Sequence, residues 1–470
     1  MKRFMLYTTQ ALIIAFGVLP AMAQEVQPPE QATPAQINGD REFYLRPSYW
    51  KPYDQRGLNV FETTKQPDTI AFEGLRLRLG AGFTQQFQNL EHKNTALNST
   101  GTGANKLYPI SPGFMTAQAN LYTDVQLADG IRLNLTSYLS SRHHNETWVK
   151  GGYIQFDKLP FNTPFINKLM EVATIKVGHM EINYGDAHFR RPDGGNTLQS
   201  PFMEGNIVDA FATEIGGEIY LQKNGFFGMV GVSNGMIKGH VDSVTVTKRP
   251  DGSVIDDNTS RKPSLYIKGG IDKSFAEKLR VRISGSLYHN NGQYGSGLTL
   301  YSGDRAGSNY QNVMEVWKDS KGEVKASTAM YSSGRFNPGF SNKITAIMLN
   351  GFLKAGGLEL FGTYETANGR SKSELDRRDM TQWAGDVIYR FGKNENLYVG
   401  GRYNTVKSEL LNVANDVKIN RTALAGGWFV TRNILMKAEY VIQKYEDFPT
   451  TDFRNGGKFN GYVIEAVVGF

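Results

Sequence analysis

From Gly74 onward, apolar and polar residues alternate with a period of two between turn-rich interruptions. In GLRLRLGAGF one set is Leu75, Leu77, Leu79, Ala81 and Phe83, and the other holds Arg76 and Arg78. The same alternation sets Ile131, Leu133 and Leu135 against Arg132, Asn134 and Thr136, and Leu279, Val281 and Ile283 against Arg280, Arg282 and Ser284. Phe211 and Thr213 fall in register with Ile215, Ile219 and Leu221 as one further apolar face. A period of two places successive side chains on opposite faces of a strand. The pattern predicts strands over 74–90, 113–127, 131–142, 147–156, 172–184, 209–222, 225–234, 262–274, 277–290, 344–355, 357–368, 380–391, 395–408, 416–430, 433–446 and 459–470. They number about 16, an even count of the kind that closed membrane barrels favour.

The interruptions alternate in length. Ala128-Asp129-Gly130, Lys223-Asn224, Gly356 and Thr431-Arg432-Asn433 are short and carry the Gly, Asn or Asp that tight hairpins require. Segments 91–112, 185–208, 235–261 and 291–343 are long and polar. Segment 157–170 (DKLPFNTPFINKLM) falls where a short turn is due and reads as an amphipathic periplasmic piece. Short periplasmic turns alternating with long extracellular loops are the rhythm of an outer-membrane barrel. The fold class expected is therefore all-β, a transmembrane antiparallel β-barrel. A soluble sandwich would also alternate, but about 400 residues of such pattern exceed one sandwich.

Lipid fixes the phase. An Arg on the lipid face costs about 2–4 kcal/mol near the midplane, so Arg76 and Arg78 belong to the lumen. The same phase assigns Arg132, Lys268, Arg280, Arg282, Arg390, Arg402 and Lys437 to the pore lining as bases, and Asp124, Glu214, Glu218, Glu359, Glu365, Asp386, Glu439 and Glu465 as acids. Their distribution suggests separate basic and acidic walls, which would orient charged solutes over a Debye length of about 8 Å.

The start of the chain sets the compartment. Lys2-Arg3, an apolar stretch to Leu19, and Ala21-Met22-Ala23 form a secretory signal peptide over 1–23, cleaved after Ala23. Removing it lowers the formal charge from +7 to +5, too little to suggest nucleic acid. Mean hydropathy is −0.40 and no later run suits a membrane helix, as expected when strands do the crossing. The chain has no Cys, which removes disulfides and thiolate chemistry. Residues 24–73 form an N-terminal periplasmic segment ahead of the barrel at 74–470. Its part YLRPSYWKPYDQRGLNVFETTK has too many aromatics for a linker and is expected to pack on the periplasmic rim or enter the pore.

Segment 185–208 counts as the third extracellular loop and holds Arg190, Arg191, Asp193 and Glu204, candidates for a constriction. The stretches VATIKVGHMEINYGDAHFRR and SPFMEGNIVDAFATEIGGEIY resemble the phosphate-selective (polyphosphate/pyrophosphate) porin family, through Lys176-Val177-Gly178-His179, Tyr184-Gly185, Phe202-Met203-Glu204 and Ile215-Gly216-Gly217. That resemblance implies a homotrimer of 16-stranded barrels, with basic residues guiding anions to an inward third loop. Arg190 and Arg191 match that role here, while the family's run of pore bases is thinner and acids are mixed in.

Catalysis finds little footing. Gly231-Val232-Ser233-Asn234-Gly235 resembles the Ser-Asn-Gly stretch of outer-membrane phospholipases, but Gly231 stands where the base should be. His143-His144 and the D-x₄-D-D spacing of Asp251, Asp256 and Asp257 match no metal-ligand pattern. No enzyme activity, metal or cofactor is expected.

The chain ends on GYVIEAVVGF. Tyr462, Ile464, Ala466, Val468 and Phe470 form one apolar face closed by an aromatic, which looks like the signal read by the barrel-assembly machinery. The function expected is an outer-membrane porin of a Gram-negative bacterium that lets small hydrophilic solutes diffuse through a water-filled lumen, with an anion preference as a variant. The alternatives are a substrate-specific, phosphate-like anion channel and a closed barrel serving as adhesin or structural protein through loop 291–343. Expected partners are outer-membrane lipid, the assembly machinery, small hydrophilic or anionic solutes and further copies of the chain.

Overall fold

A computed structural model describes residues 50–65, 71–97, 107–140, 146–161, 163–235, 247–248, 250–256, 262–292, 297–303, 307–316 and 333–470. The signal peptide and His143-His144 lie outside these residues. Among them, sixteen long strands form a closed antiparallel barrel. The strands are β1 (Arg76–Lys93), β2 (Gln118–Ala128), β3 (Ile131–Ser140), β4 (Glu146–Phe156), β5 (Ala173–Glu181), β6 (Thr213–Lys223), β7 (Phe226–Ser233) and β8 (Ser264–Ala276). They continue as β9 (Leu279–Asn290), β10 (Lys343–Ala355), β11 (Leu358–Arg370), β12 (Arg378–Phe391), β13 (Leu397–Ser408), β14 (Val417–Thr431), β15 (Ile434–Glu446) and β16 (Lys458–Gly469).

Each strand pairs with the next. β1 closes the ring by pairing on one side with β2, from Arg76↔Gln126 to Thr84↔Gln118, and on the other with β16, from Gly82↔Gly469 to Lys93↔Lys458. Beyond that seam, the backbones of Ala81 and Phe470 exchange hydrogen bonds of 2.8 and 3.0 Å. Closure satisfies the backbone groups that an open sheet edge would leave bare in lipid.

The outer face is apolar. Leu75, Leu77 and Leu79 are 69, 59 and 60% exposed, whereas the inward Asp124 and Glu465 are each 1% exposed. Trp383, Tyr389, Tyr403, Tyr440 and Phe470 also stand exposed on the outside. Burial thus runs opposite to that of a water-soluble barrel, as membrane insertion requires. No helix among the described residues is long and apolar enough to cross a membrane. The one α-helix among the described residues, α1 (Pro164–Met170), lies in segment 157–170 at the short-turn end, with Met170 buried and Phe165 exposed. The turns use positive φ where the sequence supplies Gly: Gly130 at 70° and Gly356 at 56°.

Three strand expectations need correction. The run 113–127 is broken at 115–117, leaving Gly113–Phe114 as a separate short strand beside β1. There the Gln85 side chain donates to the Met115 carbonyl at 2.6 Å, while the Met115 N–H donates to the Gln86 carbonyl of β1 at 2.9 Å. The run 209–222 becomes a strand only at Thr213. Phe211 turns inward, 7% exposed, with the Arg191 guanidinium 4.1 Å from its ring centre, so it has no place on the lipid face. The run 172–184 ends as a strand at Glu181, and Ile182 and Tyr184 enter the buried interior.

Candidate functional site

The inner wall is charged, but its charges are paired. Arg78 binds Asp124, with Arg132 4.0 Å away on the other carboxylate oxygen. Arg390 reaches Glu359 at 2.8 Å, Arg402 reaches Asp386 at 2.6 Å, and Lys437 reaches Glu465 at 2.9 Å. Lys268 and Arg282 share Asp186 and Glu62, and Arg280 and Arg282 share Asp272. Arg76 remains half-buried and donates to the Ala71 carbonyl at 2.8 Å. Bases and acids are therefore interleaved, and the expected division into basic and acidic walls does not hold among these residues.

The remaining acids are held by tyrosines, a feature the period-two pattern does not reveal. Tyr288 donates to Glu214 at 2.8 Å, and Tyr184 and Tyr301 donate to Glu365 at 3.1 and 2.7 Å. Tyr220 donates to Glu218 and Tyr310 to Glu439. Inward tyrosines beside inward glutamates on the same or the next strand were the available signal: Tyr220 lies two residues from Glu218. Ser233, the serine of the phospholipase-like stretch, donates its hydroxyl to Glu214. Asp251 caps a small turn by accepting from the Ser253 backbone at 2.8 Å.

Loop 182–212 descends into the lumen, and the wall explains how it can stay there. An irregular backbone at membrane depth needs partners for its N–H and C=O groups. The Met203 N–H donates to Glu439 at 2.9 Å, that of Ile207 to Asn404 at 2.6 Å, and that of Val208 to Gln382 at 2.9 Å. Lys437 donates to the carbonyls of Thr197, Ser200 and Phe202 at 3.1 to 3.2 Å. Arg402 and Arg421 donate to the carbonyls of Glu204 and Gly205, both at 2.8 Å. At Gly194 and Gly195 the loop lies so close to β2 that a Cβ would strike Gln118 and Asn120.

The four constriction candidates do not converge on one point. Arg190 donates to Asn59 and lies 3.7 Å from Glu359, while Arg191 clasps Asp209. Asp193 accepts from Asn120 at 2.8 Å and from Lys150, on the far side of the loop. Glu204 binds Arg335 at 2.8 Å, Ser308 at 2.7 Å and the Asn309 N–H at 2.7 Å. A cavity of about 20 Å³ lies between Arg190, Arg191 and Arg402, room for about one water.

Burial alone would raise the Glu204 carboxyl, but Arg335 and Arg421 outweigh it and hold it at about 2, below its ordinary 4.5. A depressed folded-state pKa stabilises above 4.5, and that stabilisation is lost as pH falls towards 2. Glu204→Gln is therefore expected to lower the melting temperature at neutral pH. The gap to the parent protein should then close progressively between pH 4.5 and 2 in thermal melts of folded barrels in detergent. A gap independent of pH would contradict this assignment.

The described parts of loop 291–343 also fold inward. Leu298, Leu300, Tyr301, Tyr310, Val313, Phe336 and Phe340 are buried against Met203, Ile207 and Val208 of the inserted loop. The Phe336 N–H donates to the Ile207 carbonyl at 2.8 Å, and the Phe211 N–H to that of Leu300 at 3.0 Å. These residues offer no surface to a partner, so they lend no support to an adhesive role for this loop.

From the short-turn end, residues 50–65 cross the barrel mouth as a strap. Gln55 donates its N–H to the Arg432 carbonyl at 2.9 Å and its side chain to that of Asn394 at 3.1 Å, both in short turns. Tyr53 donates to Asp124 at 2.8 Å, and Asn59 to Glu359 at 2.8 Å. Lys65 reaches the Asp157 carbonyl at 3.1 Å. The strap meets the inserted loop at mid-lumen: Lys51 donates to Gln199 at 2.7 Å, Asn59 accepts from Arg190, and Phe61 packs edge-on to Phe189 with ring centres 5.7 Å apart. The lumen expected to be water-filled is thus largely occupied at this level by the chain itself.

No protein-family model matches the sequence, and no curated protein is significantly similar to it. Solved structures to which the chain is similar include the outer membrane channel DcaP of Acinetobacter baumannii, 11% identical, covering 85% of this chain and 99% of that one at a TM-score of 0.48. An anion-selective porin from Comamonas acidovorans is 9% identical, with 84% and 100% covered at a TM-score of 0.47. OmpT, an outer membrane protein of Vibrio cholerae, is 10% identical, with 85% and 99% covered at a TM-score of 0.46. These likenesses are too remote to transfer a solute or an assembly state to this chain.

Proposed function

We propose that the chain is an outer-membrane porin that conducts small hydrophilic solutes and is narrowed by an inserted loop and an N-terminal strap. One observation carries this reading: a closed barrel with an apolar outer face and a charged inner face. Arg132, Lys268, Arg282, Arg390, Arg402 and Lys437 are buried along its inside at low cost because acids pair them, and they give the barrel a polar interior in place of an apolar core. The inward bases and acids line the route, and Arg190, Arg191, Asp193 and Glu204 narrow it by fixing the inserted loop at separate points. The signal peptide is cleaved after Ala23, and the mature barrel works as a homotrimer. Phosphate-like anions are a narrower version of the same solute class.

Single-channel recording from pure folded protein tests the proposal. A small ohmic conductance is expected, with a reversal potential in a salt gradient of anion-preferring sign that moves towards zero in Arg190→Ala/Arg191→Ala. Absence of any conductance would remove the porin reading.

The terminal residues serve as the assembly signal in this proposal. Phe470 is 61% exposed, and its side chain adds nothing to the lumen. Its deletion is expected to lower the amount of barrel reaching the outer membrane, read from membrane fractions, while the conductance of the molecules that do assemble stays the same. Normal outer-membrane levels would rule this role out.

A further inference from the structure

The strap places two adjacent side chains, Phe61 and Glu62, in a recess made by β8, β9, β10 and the inserted loop. The Glu62 carboxylate receives Lys268 at 2.9 Å and Arg282 at 2.8 Å. The Phe61 ring centre lies 4.3 Å from the Arg282 guanidinium and 5.3 Å from that of Arg280, with Phe352 edge-on at 5.5 Å. Phe227 covers the Arg282 guanidinium as well, at 4.2 Å from its ring centre. The barrel and its loop therefore supply a cationic floor and an aromatic slot, and the N-terminal strap supplies what fills them.

Charge balance defines the occupant. The recess holds three bases, Lys268, Arg280 and Arg282, and Asp186 and Asp272 are its permanent acids. With Glu62 in place the cluster is neutral. Without Glu62 it carries one net positive charge, with donors on Lys268 and Arg282 released. One carboxylate restores neutrality, whereas a dianion overshoots it. The vacated slot leaves a guanidinium face open, which an aromatic ring covers favourably. The recess is not sealed from water, since the Arg280 and Asp272 side chains are 31 and 20% exposed.

We propose that this recess is a binding site for solutes carrying one carboxylate and one aromatic ring, and that Phe61-Glu62 is a built-in competitor for it. The proposal rests on the porin reading for its biological sense, since the site lies on the solute route. It is tested by binding, without any current.

The probe is 3-phenylpropanoate, titrated calorimetrically into the full-length barrel in detergent. Phe61→Ala/Glu62→Ala is expected to bind it about tenfold or more tightly than the parent protein, a difference of about 1.4 kcal/mol or more. Adding Arg282→Gln should reverse that gain. Acetate and 3-phenylpropanol, which lack the ring or the charge, should bind the double variant about tenfold more weakly or worse. Equal binding by parent and variant, or equal binding of acetate, overturns the proposal. The parent protein gives a test that does not depend on a variant folding: 3-phenylpropanoate, but not acetate, should speed protease cleavage between residues 50 and 65. Unchanged cleavage also overturns it. A barrel that binds but does not conduct would keep this site and remove the porin, and a barrel that conducts but does not bind would do the reverse.

Discussion

Deletion of residues 50–65 is expected to raise single-channel conductance severalfold without opening the barrel. The strap spans the periplasmic mouth and fastens to opposite parts of its rim: Arg432 and Asn394 at two turns, Glu359 on β11, and Asp157 beyond β4. None of its residues belongs to the strand ladder, and the seam between β1 and β16 does not involve it. Its loss therefore removes an obstruction and leaves the cylinder paired. The inserted loop should remain, because its backbone is held by Glu439, Asn404, Gln382 and Lys437 of the wall. The enlarged current should accordingly keep the reversal-potential sign of the parent.

The stability cost of that deletion should be moderate. Lys268 and Arg282 lose Glu62 but retain Asp186, and a lost hydrogen bond to a charged group costs about 1.5–3 kcal/mol. Melting should thus fall by a few degrees while conductance rises. Unchanged conductance would mean that the inserted loops, and not the strap, limit the current.

What the sequence made legible follows from the solvent outside the barrel. Lipid penalises each misplaced charge, so the period of two and its phase are written into every strand. Strand β9 was expected over 277–290 and runs Leu279–Asn290, and β15 was expected over 433–446 and runs Ile434–Glu446. The lumen imposes no such period. Met203 meets Glu439 across 236 positions, and Arg421 meets Gly205 across 216. Contacts of that kind leave no local trace, which is why the partners of the inserted loop could not be read. The strap left a compositional trace, its aromatics, which foretold packing at the rim or pore but not the pairing of Glu62 with Lys268 and Arg282. Phe211 departs from the pattern for the same reason: its hydrophobicity falls in register with the lipid face, whereas the residue packs on Arg191 inside.

Arg402→Met is expected to cost about 3–5 kcal/mol, the usual loss when one member of a buried ion pair is removed. Arg402 and Asp386 sit directly opposite each other on β13 and β12, 7 and 4% exposed, and meet through two parallel bonds of 2.6 and 2.8 Å. Removing the base leaves Asp386 charged and buried without its partner. Arg402→Met/Asp386→Leu removes both charges and should recover most of the loss, since a buried pair replaced by apolar residues is often neutral in stability. The recovery cannot be complete. The third guanidinium nitrogen also holds the Glu204 carbonyl at 2.8 Å, and the guanidinium lies 4.3 Å from the Phe202 ring centre. Both variants abandon that carbonyl, at a cost of about 1–3 kcal/mol for an unsatisfied buried acceptor. Two measurements therefore separate. Thermal melts should fall far more in the single variant than in the double, because melting reads the orphaned Asp386. Open-channel noise should rise equally in both, because it reads a loop that has lost its tether at Glu204. Equal melting of the two variants would place the contribution of Arg402 in the loop contact instead of the ion pair. Quiet channels in both would show that Met203, Ile207 and Val208 hold the loop without Arg402.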